Sequence, residues 1–252
     1  AYFNVPRGYD LLLPALEASF GKWAAGSAPA KQVNGTAAGA PRKIYLIDKP
    51  DAPQSTIVAA QLSLPYGQPE DLAIEPVMTN FGGIATSRLN RNLRLDKHWS
   101  YGTSARLSEV RGQRSFVTIA PVQTDKTVEA MREVRKEVQG VAGERPLVGA
   151  EYESIMRNMT SRLAGRFGTL NALEGAALAT VNLGLPEDYW ANYSRNVKAL
   201  TPAQLGQAAG KFVKPEEVTW LVIGDLRKVE AGIRSLGWGE VVVLDQDGKP
   251  VR

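Results

Sequence analysis

FGGIATSRLNRNLRLDKHWSYG, residues Phe81–Gly102, is the stretch that decides the interpretation of this chain. The glycine pair near its start interrupts one predicted helix, and Thr86 or Ser87 can cap a second helix that continues to about residue 97. Arg94 therefore falls late in this second helix. Tyr101 follows seven residues after Arg94 and opens the next predicted strand.

Arg94 and Tyr101 carry side chains that suit recognition of an amide carbonyl. An arginine presents a planar fork of donors to a carboxylate or a polarised carbonyl. A tyrosine hydroxyl can donate a hydrogen bond to a developing oxyanion. An arginine late in a helix and a tyrosine opening a strand are also common structural residues. The spacing by itself therefore leaves a purely structural role open.

His98 is the only histidine in the chain, and the chain contains no cysteine. It stands in a polar turn between Lys97 and Trp99, without a second histidine or a carboxylate at ligand spacing. A catalytic zinc site generally needs two or three histidine ligands. We therefore expect His98 to be a solvated loop residue, and we expect no cofactor or metal to be held by this chain itself.

The elements around this stretch predict an α+β fold, with a mostly antiparallel sheet on which helices are layered. Strands and helices follow one another in blocks rather than in strict alternation, which favours this class. The predicted strands are 43–49, 55–64, 101–110, 115–122, 218–223 and 241–244, and the predicted helices are 70–81, 86–97, 124–141, 147–167, 170–183, 187–199, 201–212 and 226–236.

The first residues of the chain predict a separate helix over Tyr9–Trp23, with Pro14 in its first turn, where proline is tolerated. Residues 29–41 are rich in Gly, Ala and Pro without an apolar period, which indicates a linker. The first 25 or so residues also resemble the last ones, since both contain a helix followed closely by glycine and tryptophan. This similarity indicates an internal repeat.

Composition excludes several classes of function. The 252 residues are 44% hydrophobic and 22% charged, with a net charge of +4 spread along the chain, so we expect no nucleic-acid partner. No apolar run approaches the ~20 residues of a membrane-spanning helix. The N-terminal residues do not have the pattern of a signal peptide, so they do not identify a compartment.

The order of motifs resembles the C-terminal domain of the pitrilysin-type (M16, inverted-zincin) metallopeptidases. That family includes mitochondrial processing peptidase and the core subunits of cytochrome bc1, and its pattern reads roughly GG, SRL, LRE and GLxYG. The motifs that carry the resemblance are Pro53-Gln54-Ser55, Phe81-Gly82-Gly83, Ser87-Arg88-Leu89, Leu93-Arg94, Ser100-Tyr101-Gly102, the helix start at Leu200–Leu205 and the strand Trp220–Gly224.

The resemblance implies a LuxS/MPP-like metallohydrolase fold. It implies that residues 1–28 are the terminal helix of a preceding homologous domain, that 29–41 are a linker, and that 42–252 are an M16 C-terminal-type domain. In the family the zinc lies on a partner domain or subunit that carries an HxxEH motif, and this domain adds an arginine and a tyrosine seven residues apart. Arg94 and Tyr101 match that spacing. The resemblance thus implies a non-zinc part of a peptidase that binds extended peptide and is inactive alone.

Several positions depart from the family pattern. Leu95 stands where the family usually has glutamate, and Lys97-His98-Trp99 replaces a small, glycine-containing lead-in to the tyrosine. Some family members keep the fold without catalysis, so the alternative expectation is an inactive structural or assembly subunit. The habit of bacterial members and the absence of cysteine favour the periplasm, with the cytoplasm as the alternative.

Overall fold

The computed structural model describes residues 5–24, 26, 27, 37 and 42–251, without the side chains of residues 5–12, 164 and 166. The chain divides into two compact units, Ala1–Val33 and Asn34–Arg252. Apart from residue 37, the predicted linker 29–41 lies outside the described residues. The homology of residues 1–28 to a preceding domain stays a prediction.

The first unit contains one helix, α1, over Val5–Phe20. The helix was expected over Tyr9–Trp23, with Pro14 in its first turn, and that placement of the proline is wrong. Because α1 begins at Val5, Pro14 is its tenth residue and lies inside the helix. A proline there has no N–H to donate to the carbonyl four residues earlier, so α1 lacks one hydrogen bond of its ladder.

The second unit is built on one six-stranded sheet in the order β3-β4-β2-β5-β1-β6. β1 pairs in parallel with β5 and β6, whereas the other three pairings are antiparallel. The sheet is therefore mostly antiparallel, as predicted. The strands are β1 Lys43–Asp48, β2 Gln54–Leu62, β3 Ser104–Leu107, β4 Ser115–Gln123, β5 Thr219–Gly224 and β6 Glu240–Leu244.

Helices pack on one face of this sheet, so the α+β class is confirmed. Some are extended by a wider π turn or preceded by a 3-10 turn. The helices are α2 Asp71–Met78, α3 Arg88–Asn90, α4 Thr127–Gln139, α5 Gly149–Arg166, α6 Leu170–Leu183, α7 Tyr189–Lys198, α8 Pro202–Phe212 and α9 Leu226–Arg234. The π turns Thr79–Gly83, Arg91–Asp96 and Gly140–Glu144 extend α2, α3 and α4. The 3-10 turns are Thr124–Lys126 before α4 and Pro215–Glu217 before β5.

The alternation of side-chain burial along β2 and β4 explains this layering. In β2 and β4 every second residue is fully buried under the helices, and the residues between them are half-buried. Phe81 from the turn after α2 stacks on Phe116 of β4, with ring centroids 5.8 Å apart, in the middle of the core. The other sheet face presents half-buried apolar side chains such as Val58, Ile119 and Leu221.

Local signals placed several helix ends correctly. Thr201 caps α8 and Pro202 takes the first helical position, as the sequence predicts, and Gln204 completes a capping box with Thr201. Asp225, which follows β5, is a fully buried carboxylate that accepts hydrogen bonds from Arg227.

Among the described residues, none of the helices is both long enough and apolar enough to cross a membrane.

Two expectations around the glycine pair need correction. Tyr101 does not open a strand, because β3 begins only at Ser104. The helical segment also runs two residues past the expected end at Phe81, because the π turn Thr79–Gly83 includes the glycine pair and ends with it. Gly82 permits close packing, because a Cβ at this position would clash with the backbone nitrogen of Ala105.

Candidate functional site

The helix that carries Arg94 is fixed by its apolar face. Ser87 caps it by accepting a hydrogen bond from the backbone of Asn90, as the sequence predicts. Leu89 and Leu93 are completely buried beneath it. The second half of the helix widens into a π turn, and such turns are frequent at functional sites. This widening lets the Leu93 carbonyl accept from the backbone N–H groups of both Trp99 and Ser100, at 2.9 and 3.2 Å.

The chain then reverses through a turn centred on His98. His98 is exposed and has a φ of +56°, a left-handed conformation that favours glycine but that histidine also visits. The family pattern has glycine in this region, so His98 takes a backbone conformation that glycine would adopt easily. His98 is thus an exposed loop residue, as expected.

Ser100 anchors the loop that presents Tyr101. Its buried hydroxyl donates to the Pro121 carbonyl at 2.5 Å and accepts from the Gly102 N–H at 3.1 Å. The backbone of Gln123, at the end of β4, also donates to the Trp99 carbonyl at 2.9 Å. Residues on both sides of Tyr101 are therefore pinned to the sheet, while its own side chain is 89% exposed.

Asn90 ties the arginine helix to the tyrosine loop. Its side chain is 5% exposed, and its Oδ1 accepts from the Thr103 N–H at 2.8 Å while its Nδ2 donates to the Thr103 carbonyl at 3.0 Å. Nδ2 also donates to the Ile84 carbonyl at 3.1 Å. This one amide thus fixes the glycine-rich turn, the helix and the loop relative to one another.

Arg94 and Tyr101 meet above this frame. The Arg94 Cζ lies 5.6 Å from the centroid of the Tyr101 ring, within the range of a cation–π contact. Among the described residues, the Arg94 guanidinium makes no hydrogen bond and no ion pair. Leu95, which replaces the family glutamate, is 48% exposed and cannot act as a counter-ion. In the described part of the chain, the forked donors of Arg94 and the hydroxyl of Tyr101 therefore have no hydrogen-bond partner.

This site offers hydrogen-bond donors rather than metal ligands. Within the described part of the chain, no group of three or more histidine, aspartate or glutamate side chains is placed to hold a metal ion. Sequence reasoning identified Arg94 and Tyr101 but missed Asn90 and Ser100. An asparagine among the apolar positions of a buried helix face was the available signal for the first of these.

A family model described as the peptidase M16 inactive domain matches residues 10–159, more than half of the chain. The matched range includes Arg94, Tyr101 and the frame beneath them. No curated protein sequence matches the chain significantly.

Solved structures with the same fold come from bacteria and from a eukaryote. They include a peptidase M16 inactive domain from Pseudomonas fluorescens, with 20% sequence identity and a TM-score of 0.70 over 78% of this chain and 47% of that chain. The periplasmic protease PqqL from Escherichia coli matches with 15% identity and a TM-score of 0.66 over 85% of this chain and 24% of that chain.

A chain of complex III2 from Candida albicans matches with 14% identity and a TM-score of 0.69, over 91% of this chain and 56% of that chain. At such identities the similarity shows the fold alone. The chain spans only about half or a quarter of the length of these three proteins.

Proposed function

The chain belongs to the M16 peptidase family, in which it matches the inactive domain, and we propose that it lends Arg94 and Tyr101 to an active site completed elsewhere. The zinc of that site is held by an HxxEH-bearing domain or subunit. The substrate is an extended peptide. The chain alone hydrolyses no peptide.

One observation carries this proposal above all: two donor side chains, without hydrogen-bond partners among the described residues, lie together on a buried, hydrogen-bonded frame. The frame consists of the buried groups of Asn90 and Ser100, which fix the helix and the loop. Positioning of donors before substrate arrives is what makes them effective in stabilising developing charge. Exposure and fixed orientation are useful to two hydrogen-bond donors when these donors bind a ligand.

Arg94 and Tyr101 have complementary roles in the proposed site. The Arg94 guanidinium orients the substrate by binding a peptide carbonyl through its forked donors. The Tyr101 hydroxyl donates a hydrogen bond to the carbonyl oxygen of the cleaved bond as negative charge develops on it. Zinc on the partner supplies the Lewis acid that activates water. The cation–π contact keeps the two side chains next to each other.

We place this peptidase in the periplasm of a bacterium. The similarity of the fold to a periplasmic protease from Escherichia coli supports this compartment, as does the absence of cysteine. The cytoplasm is the alternative.

Metal analysis and reconstitution test the proposal together. The purified chain should contain no stoichiometric zinc and should not cleave a quenched fluorescent peptide library. Addition of the HxxEH-bearing M16 domain or subunit of its own organism should bring zinc and activity. Tight zinc binding by this chain alone, or an unchanged activity of the partner on mixing, would contradict the proposal.

The similarity to a chain of complex III2 favours a second candidate, a structural or assembly subunit without peptidase activity. The same mixture distinguishes the two. A structural subunit would form a stable complex with its partner, but substitution of Arg94 or Tyr101 would not change any turnover of that complex.

A further inference from the structure

The π turn that contains Arg94 is contacted by a carboxylate of the neighbouring helix α4. The hydrogen bond that defines this turn joins the Lys97 N–H to the Asn92 carbonyl, five residues earlier, at 3.1 Å. Glu133 of α4 contacts the side chains of both these residues. Its Oε2 accepts from Asn92 Nδ2 at 2.8 Å, and its Oε1 pairs with Lys97 Nζ at 3.4 Å. One carboxylate therefore bridges the two residues that close the turn.

The Asn92 amide is oriented by the carboxylates of α4. Besides the bond to Glu133, its Nδ2 donates to Oε1 of Glu137, one turn further along α4, at 2.8 Å. Rotation of the amide by half a turn would place its oxygen against both carboxylates, so these acceptors fix its orientation. The Asn92 Oδ1 is buried and has no hydrogen-bond partner among the described residues. An unpaired buried acceptor costs free energy, so the two carboxylate contacts outweigh that cost.

Lys97 extends this contact toward the tyrosine loop. Its Nζ lies 4.9 Å from the centroid of the Trp99 ring, within the range of a cation–π contact. The side chains of Lys97 and Glu133 are both half-buried. Water and salt therefore screen this ion pair less than a pair at the surface.

The closing bond of the turn also decides what the Leu93 carbonyl binds. In a regular α-helix the Lys97 N–H would donate to Leu93, four residues earlier. Because it donates to Asn92 instead, the Leu93 carbonyl accepts from the N–H groups of Trp99 and Ser100. A return to α-helical geometry would thus remove these two bonds and rotate the residues that follow Asn92.

We propose that Glu133 is a positioning residue for Arg94, whose direction it fixes by holding the π turn in place. Among the described residues, Glu133 makes no hydrogen bond or ion pair with Arg94 itself. The tyrosine loop has its own bonds to β4, so Arg94 is the donor that depends on Glu133. A donor that is oriented before the substrate arrives stabilises developing charge better. The catalytic consequence rests on the proposed function, whereas the effect on the turn does not.

Amide hydrogen exchange, followed by NMR on the whole chain, tests the effect on the turn without any peptidase activity. Glu133→Ala removes both contacts and should speed exchange of the Lys97 and Trp99 amides about tenfold, as a local opening does. The Leu205 amide of α8 reports on the rest of the fold and should change less than about twofold. Glu133→Gln, which can still accept from Asn92, should give an intermediate rate at Lys97.

Glu129→Ala is the matched control for this exchange experiment. Glu129 lies one turn before Glu133 on α4, is also half-buried, and makes no hydrogen bond or ion pair with the described residues. Its substitution should leave the exchange rates of the turn within about twofold of the wild-type rates. Similar rates in Glu129→Ala and Glu133→Ala would overturn the proposal.

A double-mutant cycle in the assembled peptidase tests the consequence for the site. Glu133→Ala should lower kcat about tenfold in the wild-type background but less than about twofold in Arg94→Ala, because a positioning residue acts through the residue that it positions. A merely structural residue would lower turnover by the same factor in both backgrounds, and that result would also overturn the proposal. Wild-type turnover by Arg94→Ala would contradict the proposed function instead, and amide exchange would still decide whether Glu133 holds the turn.

Discussion

Two arginines of this domain, Arg114 and Arg94, both contact a tyrosine ring, yet their surroundings are opposite. Arg114 is 3% exposed, bonds to Asp71 and to the carbonyls of Leu64 and Pro65, and lies over Tyr66. Arg94 contacts an exposed tyrosine, and its guanidinium donates no hydrogen bond to any of the described residues.

This contrast separates a structural arginine from the arginine that we propose to be functional. The donors of Arg114 are consumed inside the fold, so its loss must be felt as a loss of stability. The donors of Arg94 are held in place by contacts made through other residues, so its loss should be felt by a ligand. Both positions hold an arginine beside a tyrosine. They differ in whether the guanidinium donates hydrogen bonds to other groups of the fold.

The largest effect is expected from Arg114→Met. It leaves the carboxylate of Asp71 buried without its ion-pair partner, which typically costs about 3–5 kcal/mol of the free energy of unfolding. Urea denaturation measures this cost. Arg114→Met combined with Asp71→Leu should recover part of the loss, because the uncompensated charge is gone. A loss below about 1 kcal/mol for the single substitution would contradict the structural role.

Asn90→Ala should have the next largest effect. It removes the amide that joins the helix to the loop and leaves the buried N–H of Thr103 without its acceptor, at a cost of about 1–3 kcal/mol. Asn80→Ala is a matched control, because the Asn80 amide makes a single long hydrogen bond of 3.3 Å to Glu151. If both variants unfold at the same urea concentration, Asn90 does not hold the frame together.

His98 provides a smaller and more specific effect. Its φ of +56° predicts that His98→Gly retains the wild-type stability or exceeds it, because glycine adopts this conformation freely. His98→Val should lose about 1–2 kcal/mol, since a β-branched residue is strained there. Thermal unfolding compares the two variants. Equal losses for glycine and valine would show that the imidazole, and not the backbone, matters at this position.

Asp225 should stabilise the fold at neutral pH and lose this effect in acid. Hydrogen bonds from Arg227 lower the pKa of Asp225 to about 2, so the ionised carboxylate stabilises the fold above its ordinary pKa near 4. This contribution should be lost as the pH falls from about 4 to about 2. The stability difference between wild type and Asp225→Asn should therefore stay constant from pH 7 to 5 and close below pH 4.

Asp51→Asn is the control for this titration. Asp51 also accepts from Arg227, but its side chain is largely exposed. Its substitution should leave the acid dependence of unfolding close to that of the wild type. A wild-type stability curve that is flat between pH 4 and 2 would contradict the assignment to Asp225.

The sequence predicts most of this domain because its elements have local causes. The apolar run of β2, the alternation in β4, and the cap and proline at Thr201-Pro202 appear directly in the residues and place strands and helices correctly. The π turns were not predictable in this way. In the turn Arg91–Asp96, for example, the Leu93 carbonyl accepts from two N–H groups of the following loop, a contact that no local residue pattern indicates.

The two donor residues of the candidate site were predictable from the sequence, but the residues that hold them in place were not. Arg94 and Tyr101 were identified from their spacing and from the family resemblance, and the structure brings them together. The role of Asn90 depends on Thr103, thirteen residues away, and no local pattern indicates that pairing.

The most direct test of the account is the turnover of the assembled peptidase with Arg94→Ala in this chain, compared with Arg91→Ala on the same helix. We predict that Arg94→Ala lowers kcat by about 10²–10³ and that its free energy of unfolding stays within about 0.5 kcal/mol of the wild-type value. Arg91→Ala, which removes an exposed arginine one turn earlier, should retain turnover within twofold. Wild-type turnover by Arg94→Ala would contradict the catalytic assignment of the Arg94–Tyr101 pair.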